Sequence, residues 1–182
     1  MHSFRLAAFV WEGHCAAMTM TTLTFLLPTP DDTTTLASKI SKSLSPGDCL
    51  LLEGPIGAGK THFARALIQS RLGREEDVPS PTFTLVQCYD LPETELWHAD
   101  LYRLTSLDEI EELGLSEAME TAICLIEWPD RLGEYWPNHA LHLSLSLVPQ
   151  AEDARQITIT FSDEKWQNLI GQVSKEYLDE QS

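Results

Sequence analysis

The residues best suited to chemistry lie in one run, Gly54-Pro55-Ile56-Gly57-Ala58-Gly59-Lys60-Thr61, which fits the pattern GxxxxGK[ST]. Small residues at Gly57, Ala58 and Gly59 let consecutive backbone N–H groups turn toward phosphate oxygens. A helix opening at the end of the run adds the positive end of its dipole. In that arrangement Lys60 reaches the β- and γ-phosphates, and the Thr61 hydroxyl faces Mg²⁺. The pattern carries weight only between a strand and a helix, and both are legible. Cys49 to Leu52 is a continuous apolar run, read as a strand buried on both faces. Phe63, Ala64, Leu67, Ile68 and Leu72 fall on one face of a following helix.

Phosphoryl chemistry on such a loop also needs a carboxylate for Mg²⁺ at the end of a neighbouring strand. Glu127 directly follows a second apolar strand run, Ala122 to Ile126. That places it at a strand's carboxyl end, where ligands of open α/β sheets bind. Asp100 ends the run Leu96-Trp97-His98-Ala99 and is the other candidate. His98 and Asp100 are two apart and share a strand face, which permits a His–Asp pair. The favoured reading of His98 is a histidine packed beside the site. The chain has no NKxD element of the kind that reads guanine, which favours adenine. Arg65, Arg71, Arg74, Arg103, Arg131 and Arg155 do not cluster into the mobile lid of a small-molecule kinase.

Other elements must position these groups. Thr22 to Leu27 reads as a strand and Pro28 to Asp32 as a turn. Asp31 or Asp32 then caps a helix from about Thr33 to Leu44. Phe83 to Tyr89 and Glu95 to Leu101 read as strands joined through Pro92. Ser106 caps a short acidic helix over Leu107 to Leu113, which Gly114 ends. Pro129 to Gly133 is a turn or a helical turn, and Leu141 to Val148 pairs with Gln156 to Phe161 as a hairpin. Asp163 caps a last helix with Trp166, Leu169, Ile170, Val173 and Tyr177 on its core stripe. The expected fold is α/β: a three-layer P-loop NTPase domain with a mixed, partly antiparallel sheet. Residues 20–182 are expected to form this single domain. Met1 to Thr19 reads as a loose extension without function, and Met18 or Met20 is a candidate start.

Composition sets outer limits. The chain has 182 residues, with 12 basic against 28 acidic, a net charge of −16. That argues against autonomous binding to nucleic acid or an anionic membrane, both of which need a basic face, and leaves open a local basic pocket or RNA reached through a partner. Cys15, Cys49, Cys88 and Cys124 form no CxxC pair, against a zinc or thioredoxin-like site. Cys49, Cys88 and Cys124 sit in apolar strand-like runs and read as buried thiols of a reducing cytosol. No run approaches the ~18 apolar residues of a membrane span, and Leu6 to Trp11 is too short for a signal core. The expected location is cytoplasmic.

Four segments in order carry a family resemblance: the Gly54–Thr61 loop, Ser80-Pro81-Thr82-Phe83-Thr84-Leu85-Val86, His98-Ala99-Asp100-Leu101-Tyr102-Arg103-Leu104 and Ile126-Glu127-Trp128-Pro129. With them the chain resembles the TsaE family, P-loop ATPases of bacterial tRNA threonylcarbamoyladenosine (t6A) biosynthesis, over about Thr22 to Phe161. The resemblance implies ATP and Mg²⁺ as cofactors and homologues of TsaB and TsaD as partners. TsaD, with TsaB, transfers the threonylcarbamoyl group to N6 of A37. ATP hydrolysis by the TsaE member supports repeated turnover, and tRNA is met only through the complex.

Carried onto this sequence, the resemblance places the phosphate loop on Gly54, Pro55, Ile56, Gly57, Ala58, Gly59, Lys60 and Thr61. Thr61 and Glu127 hold Mg²⁺, and Thr82 is a switch-like threonine. Trp128 lies close to the nucleotide, and Asp32 and Thr35 lie where adenine approaches. Lys60, Asp100 and Glu127 form the expected catalytic set. Asp100 orients or activates the attacking water, or supports Mg²⁺ through one of its water ligands. Pro55 and Ile56 depart from the family's usual Asp and Leu, and His62 from its second Thr. Pro55 removes one backbone N–H, yet Lys60, Thr61 and the later glycines remain, so nucleotide binding is expected to survive. Asp108, Glu109, Glu111 and Glu112 read as a solvated face, with docking on a basic partner face as the functional alternative. A metabolite kinase and a non-catalytic nucleotide-dependent module are the rival readings.

Overall fold

The strand that carries the phosphate loop, β2 (Cys49–Glu53), sits in the middle of a seven-stranded sheet. In chain order the other strands are β1 (Thr21–Leu27), β3 (Val86–Asp90), β4 (Glu95–Asp100), β5 (Ile123–Glu127), β6 (Leu141–Val148) and β7 (Ala151–Phe161). The helices are α1 (Pro30–Ser41), α2 (Lys60–Leu72), α3 (Asp108–Glu112), α4 (Leu115–Thr121) and α5 (Glu164–Asp179), with a 3₁₀ segment at Pro129–Tyr135. This computed structural model describes residues 20–74 and 76–179, so the expected extension over residues 1–19 lies outside the described residues.

The strand order is β1-β7-β6-β2-β5-β4-β3. The central strands β6, β2, β5 and β4 run parallel, and β3, β7 and β1 pair antiparallel at the two margins. The expectation of a mixed, partly antiparallel sheet therefore holds. Alternation along β2 and β5 explains the two layers of helices. Leu50, Leu52, Ile123 and Leu125 face one core with Phe63, Leu67 and Ile68 of α2 and with Leu36 and Ile40 of α1. Cys49, Leu51, Cys124 and Ile126 face the other, with Ile110 of α3 and Leu115 of α4. All eight of these strand side chains are fully buried, so neither face has a solvated set of positions; hence the continuous apolar runs.

Four local expectations are corrected. Thr29, not Asp31 or Asp32, caps α1: its hydroxyl accepts from Asp32 N, and Asp32 in turn accepts from Thr29 N at 2.9 Å. This reciprocal box stabilises a helix start by about 1 kcal/mol, and Pro30 fits the first turn because it has no N–H to leave unpaired. The segment after Gly114 forms a further helix, α4; Gly114, at φ +73°, is the left-handed joint between α3 and α4. β3 starts at Val86 rather than Phe83, because Leu85 N closes a turn on Pro81 O. β7 starts at Ala151, well before Gln156.

The cysteines divide. Cys49 and Cys124 are buried thiols as expected, whereas Cys88 is exposed on the edge strand β3. Burial, with smaller help from neighbouring groups, raises the Cys49 thiol well above its ordinary value and Cys124 to about 12. Among the described residues no helix is long and apolar enough to cross a membrane.

Candidate functional site

The loop between β2 and α2 is shaped by its glycines. Gly54 has φ +143°, and a Cβ there would stand 2.3 Å from the Leu145 carbonyl oxygen of β6. Only glycine lets the chain leave the sheet so close to its neighbour. Gly59, at φ +100°, forms the left-handed joint into α2. Ala58 N donates to Pro55 O at 3.1 Å, closing the turn across the position where Pro55 has no N–H. Ile56 stands at the exposed tip.

Lys60 is buried against this loop. Its Nζ donates to Gly54 O at 2.6 Å and to Pro55 O at 3.1 Å, and lies 4.0 Å from the centre of the Trp128 ring. Burial lowers its pKa from the ordinary lysine value, and the nearby Glu127 and Asp100 carboxylates oppose that shift. Trp128 follows β5 in a left-handed conformation, φ 59°. Such a conformation is costly for a bulky residue. Here it caps the ammonium with an aromatic face and packs against Tyr102, ring centroids 4.9 Å apart.

Strand register brings the acids together. β4 and β5 are parallel with Asp100 opposite Glu127, and Leu52 of β2 stands opposite Glu127 on the other side. His98, Asp100 and Glu127 share parity with Leu96, Ile123 and Leu125, so all three face α2. Thr61, in the first turn of α2, donates from Oγ1 to Glu127 Oε2 at 3.0 Å. Glu127 Oε1 lies 2.9 Å from His98 Nε2. His98 is thus paired with Glu127 rather than merely packed beside the site, and it forms no His–Asp pair. Asp100 Oδ2 accepts from Thr82 Oγ1 at 2.8 Å, and its Oδ1 accepts from Tyr102 N at 3.0 Å. Asp100 and Glu127 are 4% and 2% exposed. A buried carboxylate without partners costs several kcal/mol, and each of these two has a donor on both oxygens.

The donor set suits Mg²⁺ held with phosphate. Among the described residues no three His, Cys, Asp or Glu side chains gather into a metal cage. Mg²⁺ on nucleotides, however, takes only one or two protein oxygens besides phosphate and water. Thr61 Oγ1 and Glu127 Oε2 are 3.0 Å apart, which matches adjacent oxygens of an octahedron with ligands at ~2.1 Å.

Not every expected contact gathers here. Asp32 is half-buried, and its carboxylate is engaged by Thr29 N and Thr29 Oγ1. A cavity of about 230 Å³ opens beside Gly59, lined also by Pro30, Thr33, His62, Asp153 and Arg155; neither Asp32 nor Thr35 lines it. His62 Nε2 lies 3.1 Å from Pro30 O and 3.2 Å from Thr34 Oγ1, tying α2 to α1 at the cavity wall. Two residues were not singled out from sequence, His98 as the partner of Glu127 and Arg155 as a neighbour of the loop. The shared parity of His98 and Asp100 was the available signal for the first. Nothing local marks Arg155, because its proximity follows from sheet order. In the acidic run, Glu109 accepts from Thr105 and Ser106 and Glu111 from Ser116, so two of its four carboxylates serve local turns.

Comparison with known proteins finds relatives over most of the chain. The family model described as "Threonylcarbamoyl adenosine biosynthesis protein TsaE" matches residues 27–157. The tRNA threonylcarbamoyladenosine biosynthesis protein TsaE of Rickettsia bellii is 37% identical over 135 residues, 74% of this chain and 92% of that protein. The protein of the same name from Bacillus subtilis is 35% identical over 147 residues, 80% and 90% of the two chains. The crystal structure of Bacillus subtilis YdiB superposes with a TM-score of 0.70 at 28% identity, covering 88% of this chain and 99% of that one. The match spans both the loop and the two strands that bring Asp100 and Glu127 to it, and the chain belongs to the TsaE family of tRNA threonylcarbamoyladenosine biosynthesis proteins.

Proposed function

We propose that this chain is a P-loop ATPase of t6A modification. It binds Mg-ATP on Gly54–Thr61 and hydrolyses it to ADP and phosphate. It acts with homologues of TsaB and TsaD at A37 and does not itself transfer the threonylcarbamoyl group. The observation that carries the reading is the convergence of Thr61, Glu127 and the Thr82–Asp100 pair at the mouth of one phosphate loop. The family membership supports the tRNA pathway. The net charge of −16 supports meeting tRNA through partners rather than directly.

Bound Mg²⁺ would supply positive charge to the phosphate oxygens, and Thr61 Oγ1 and Glu127 Oε2 are the protein oxygens that would hold it. Lys60 exchanges its bonds with Gly54 O and Pro55 O for phosphate oxygens and offsets the charge that develops on the β–γ bridge. Thr82 occupies one oxygen of Asp100 in this structure. A γ-phosphate that draws the Thr82 hydroxyl away frees Asp100 Oδ2 to orient the attacking water. The alternative role for Asp100, support of Mg²⁺ through water, uses the same freed oxygen. Sites that work by positioning and charge stabilisation stay slow until a partner completes them.

The test is phosphate release from ATP by the purified chain, alone and with TsaB, TsaD and tRNA, with Lys60→Ala as control. Stimulated release that Lys60→Ala abolishes is the expected result. Tight ATP binding without stimulated release would favour the non-catalytic module. A phosphorylated product other than inorganic phosphate would favour the kinase.

A further inference from the structure

Arg155 belongs to β7, which is separated from β2 by β6, yet its guanidinium reaches the phosphate loop. Nη2 lies 3.4 Å from Gly57 O, and Nε would stand 3.7 Å from a Cβ on Gly59. Nη1 donates to Glu152 O at 2.7 Å and to Ala154 O at 2.9 Å. These partners are all carbonyl oxygens, and among the described residues Arg155 makes no ion pair. Arg71, Arg74 and Arg131 each pair with a carboxylate, whereas Arg65 donates to Val78 O and Arg103 lies over the Phe83 ring, so neither of those two stands free beside the loop. Asp153 lines the same cavity as Arg155 but makes no ion pair with it, and in a chain with 28 acidic and 12 basic residues a guanidinium whose bonds all go to carbonyl oxygens beside an anion loop is a charge held for an anion. Its fork of N–H donors matches phosphate oxygens, which an ammonium cannot do.

The site's two sides give that anion an identity. Thr82, Asp100 and Glu127 lie on the β4–β5 side of the loop, and Arg155 with the adjoining cavity lies on the β7 side. In-line attack on a γ-phosphate sends the leaving nucleoside diphosphate away from the attacking water, and so toward Arg155. Pro55 has also removed one N–H from the loop, and the guanidinium brings several to the same rim.

We infer that Arg155 is a nucleotide-binding residue, whose guanidinium leaves Gly57 O for an oxygen of the α- or β-phosphate while the nucleoside enters the cavity between α1, α2 and β7. The inference rests on the reading of the loop as a nucleoside triphosphate site. Its test is calorimetric titration of Mg-ATP, Mg-ADP and adenosine into the full chain and into Arg155→Ala and Arg155→Gln. The expected result is a loss of affinity on the order of tenfold or more in both variants for ATP and for ADP alike, and a clearly smaller change for adenosine, which meets Arg155 only as part of the cavity wall. Gln keeps a donor for the Gly57 carbonyl but has no charge. Wild-type affinity in Arg155→Gln would therefore make Arg155 a strut of the loop and overturn the inference. Wild-type ADP affinity in Arg155→Ala would overturn it as well, leaving the ATPase reading intact. A wild-type chain that binds neither ATP nor ADP would overturn that reading, and this inference with it.

Discussion

His98 Nε2 and Glu127 Oε1 are 2.9 Å apart, and neither side chain is more than 2% exposed. An ionised carboxylate only accepts, so His98 donates from Nε2, and its buried Nδ1 has no partner. The bond fixes one oxygen of Glu127 and turns the other toward Thr61. His98 is therefore a positioning residue for the carboxylate proposed to hold Mg²⁺. Such outer partners commonly change metal affinity by about 10–100-fold. His98→Ala is expected to raise, by that order, the Mg²⁺ concentration needed for tight ATP binding, read by calorimetry. His98→Gln, which keeps a donor, should recover most of it. Equal Mg²⁺ requirements in all three proteins would reduce His98 to core packing.

Thr82 and Asp100 make a second separable pair, joined at 2.8 Å. Asp100→Asn keeps the size and one acceptor but removes the charge. Hydrolysis should fall by about 10²–10⁴ if the carboxylate acts on water, with ATP affinity and Mg²⁺ requirement unchanged. If Asp100 supports the ion instead, the Mg²⁺ requirement rises together with the loss of rate. Single-turnover hydrolysis at several Mg²⁺ concentrations separates the two roles. An unchanged rate would remove Asp100 from both.

Gly54 tests the loop's geometry rather than its chemistry. A Cβ there meets the backbone carbonyl of Leu145 at 2.3 Å, which no rotamer change relieves. Gly54→Ala is expected to cost about 2 kcal/mol or more of stability. It should also weaken ATP binding, because the loop must move off β6. Urea unfolding of the two proteins measures the first effect. Stability within a few tenths of a kcal/mol of wild type would mean the β2–β6 approach is looser than described.

What was legible in the sequence followed from periodicity and from the loop. Cys49–Leu52 and Ala122–Ile126 read as buried strands because both of their faces are covered, and such strands have no polar alternation to hide them. Asp100 and Glu127 were legible because strand ends in parallel sheets align. α4 was not, since Gly114 reads equally well as a stop and as a joint between two helices. The cap of α1 is hidden because Asp31 and Asp32 are both good caps, and Pro30 reads as turn although it is the first helical residue. Cys88 looked buried because Phe83 to Tyr89 is apolar enough for a central strand, whereas β3 lies at the edge. The contacts of His98 with Glu127 and of Arg155 with Gly57 span 29 and 98 positions of sequence, and depend on strand order and register that no local pattern records.

The buried thiols give a pH dependence with a definite sign. Cys124 lies in β5 against the α3–α4 layer, and desolvation holds its pKa at about 12 against an ordinary 9.0. A group whose folded pKa is raised contributes its full stability below the unfolded pKa and loses it as pH climbs to the folded value. The unfolded chain therefore releases this proton first, and between 9.0 and about 12 the folded state weakens. The slope for one thiol is about 1.4 kcal/mol per pH unit at most. Cys49, on the same face of β2 and raised in the same direction, adds to it. Cys124→Ala, in a Cys15→Ser background, should flatten the decline of unfolding free energy above pH ~9, at the expense of a small cavity. Alkylation supplies the independent readout. Exposed Cys88 should label in the native protein, while Cys49 and Cys124 label only once denaturant opens the sheet. Native labelling of Cys124 at the rate of Cys88 would show that the α3–α4 layer opens without unfolding, and would move the alkaline weakness from the thiols to that layer.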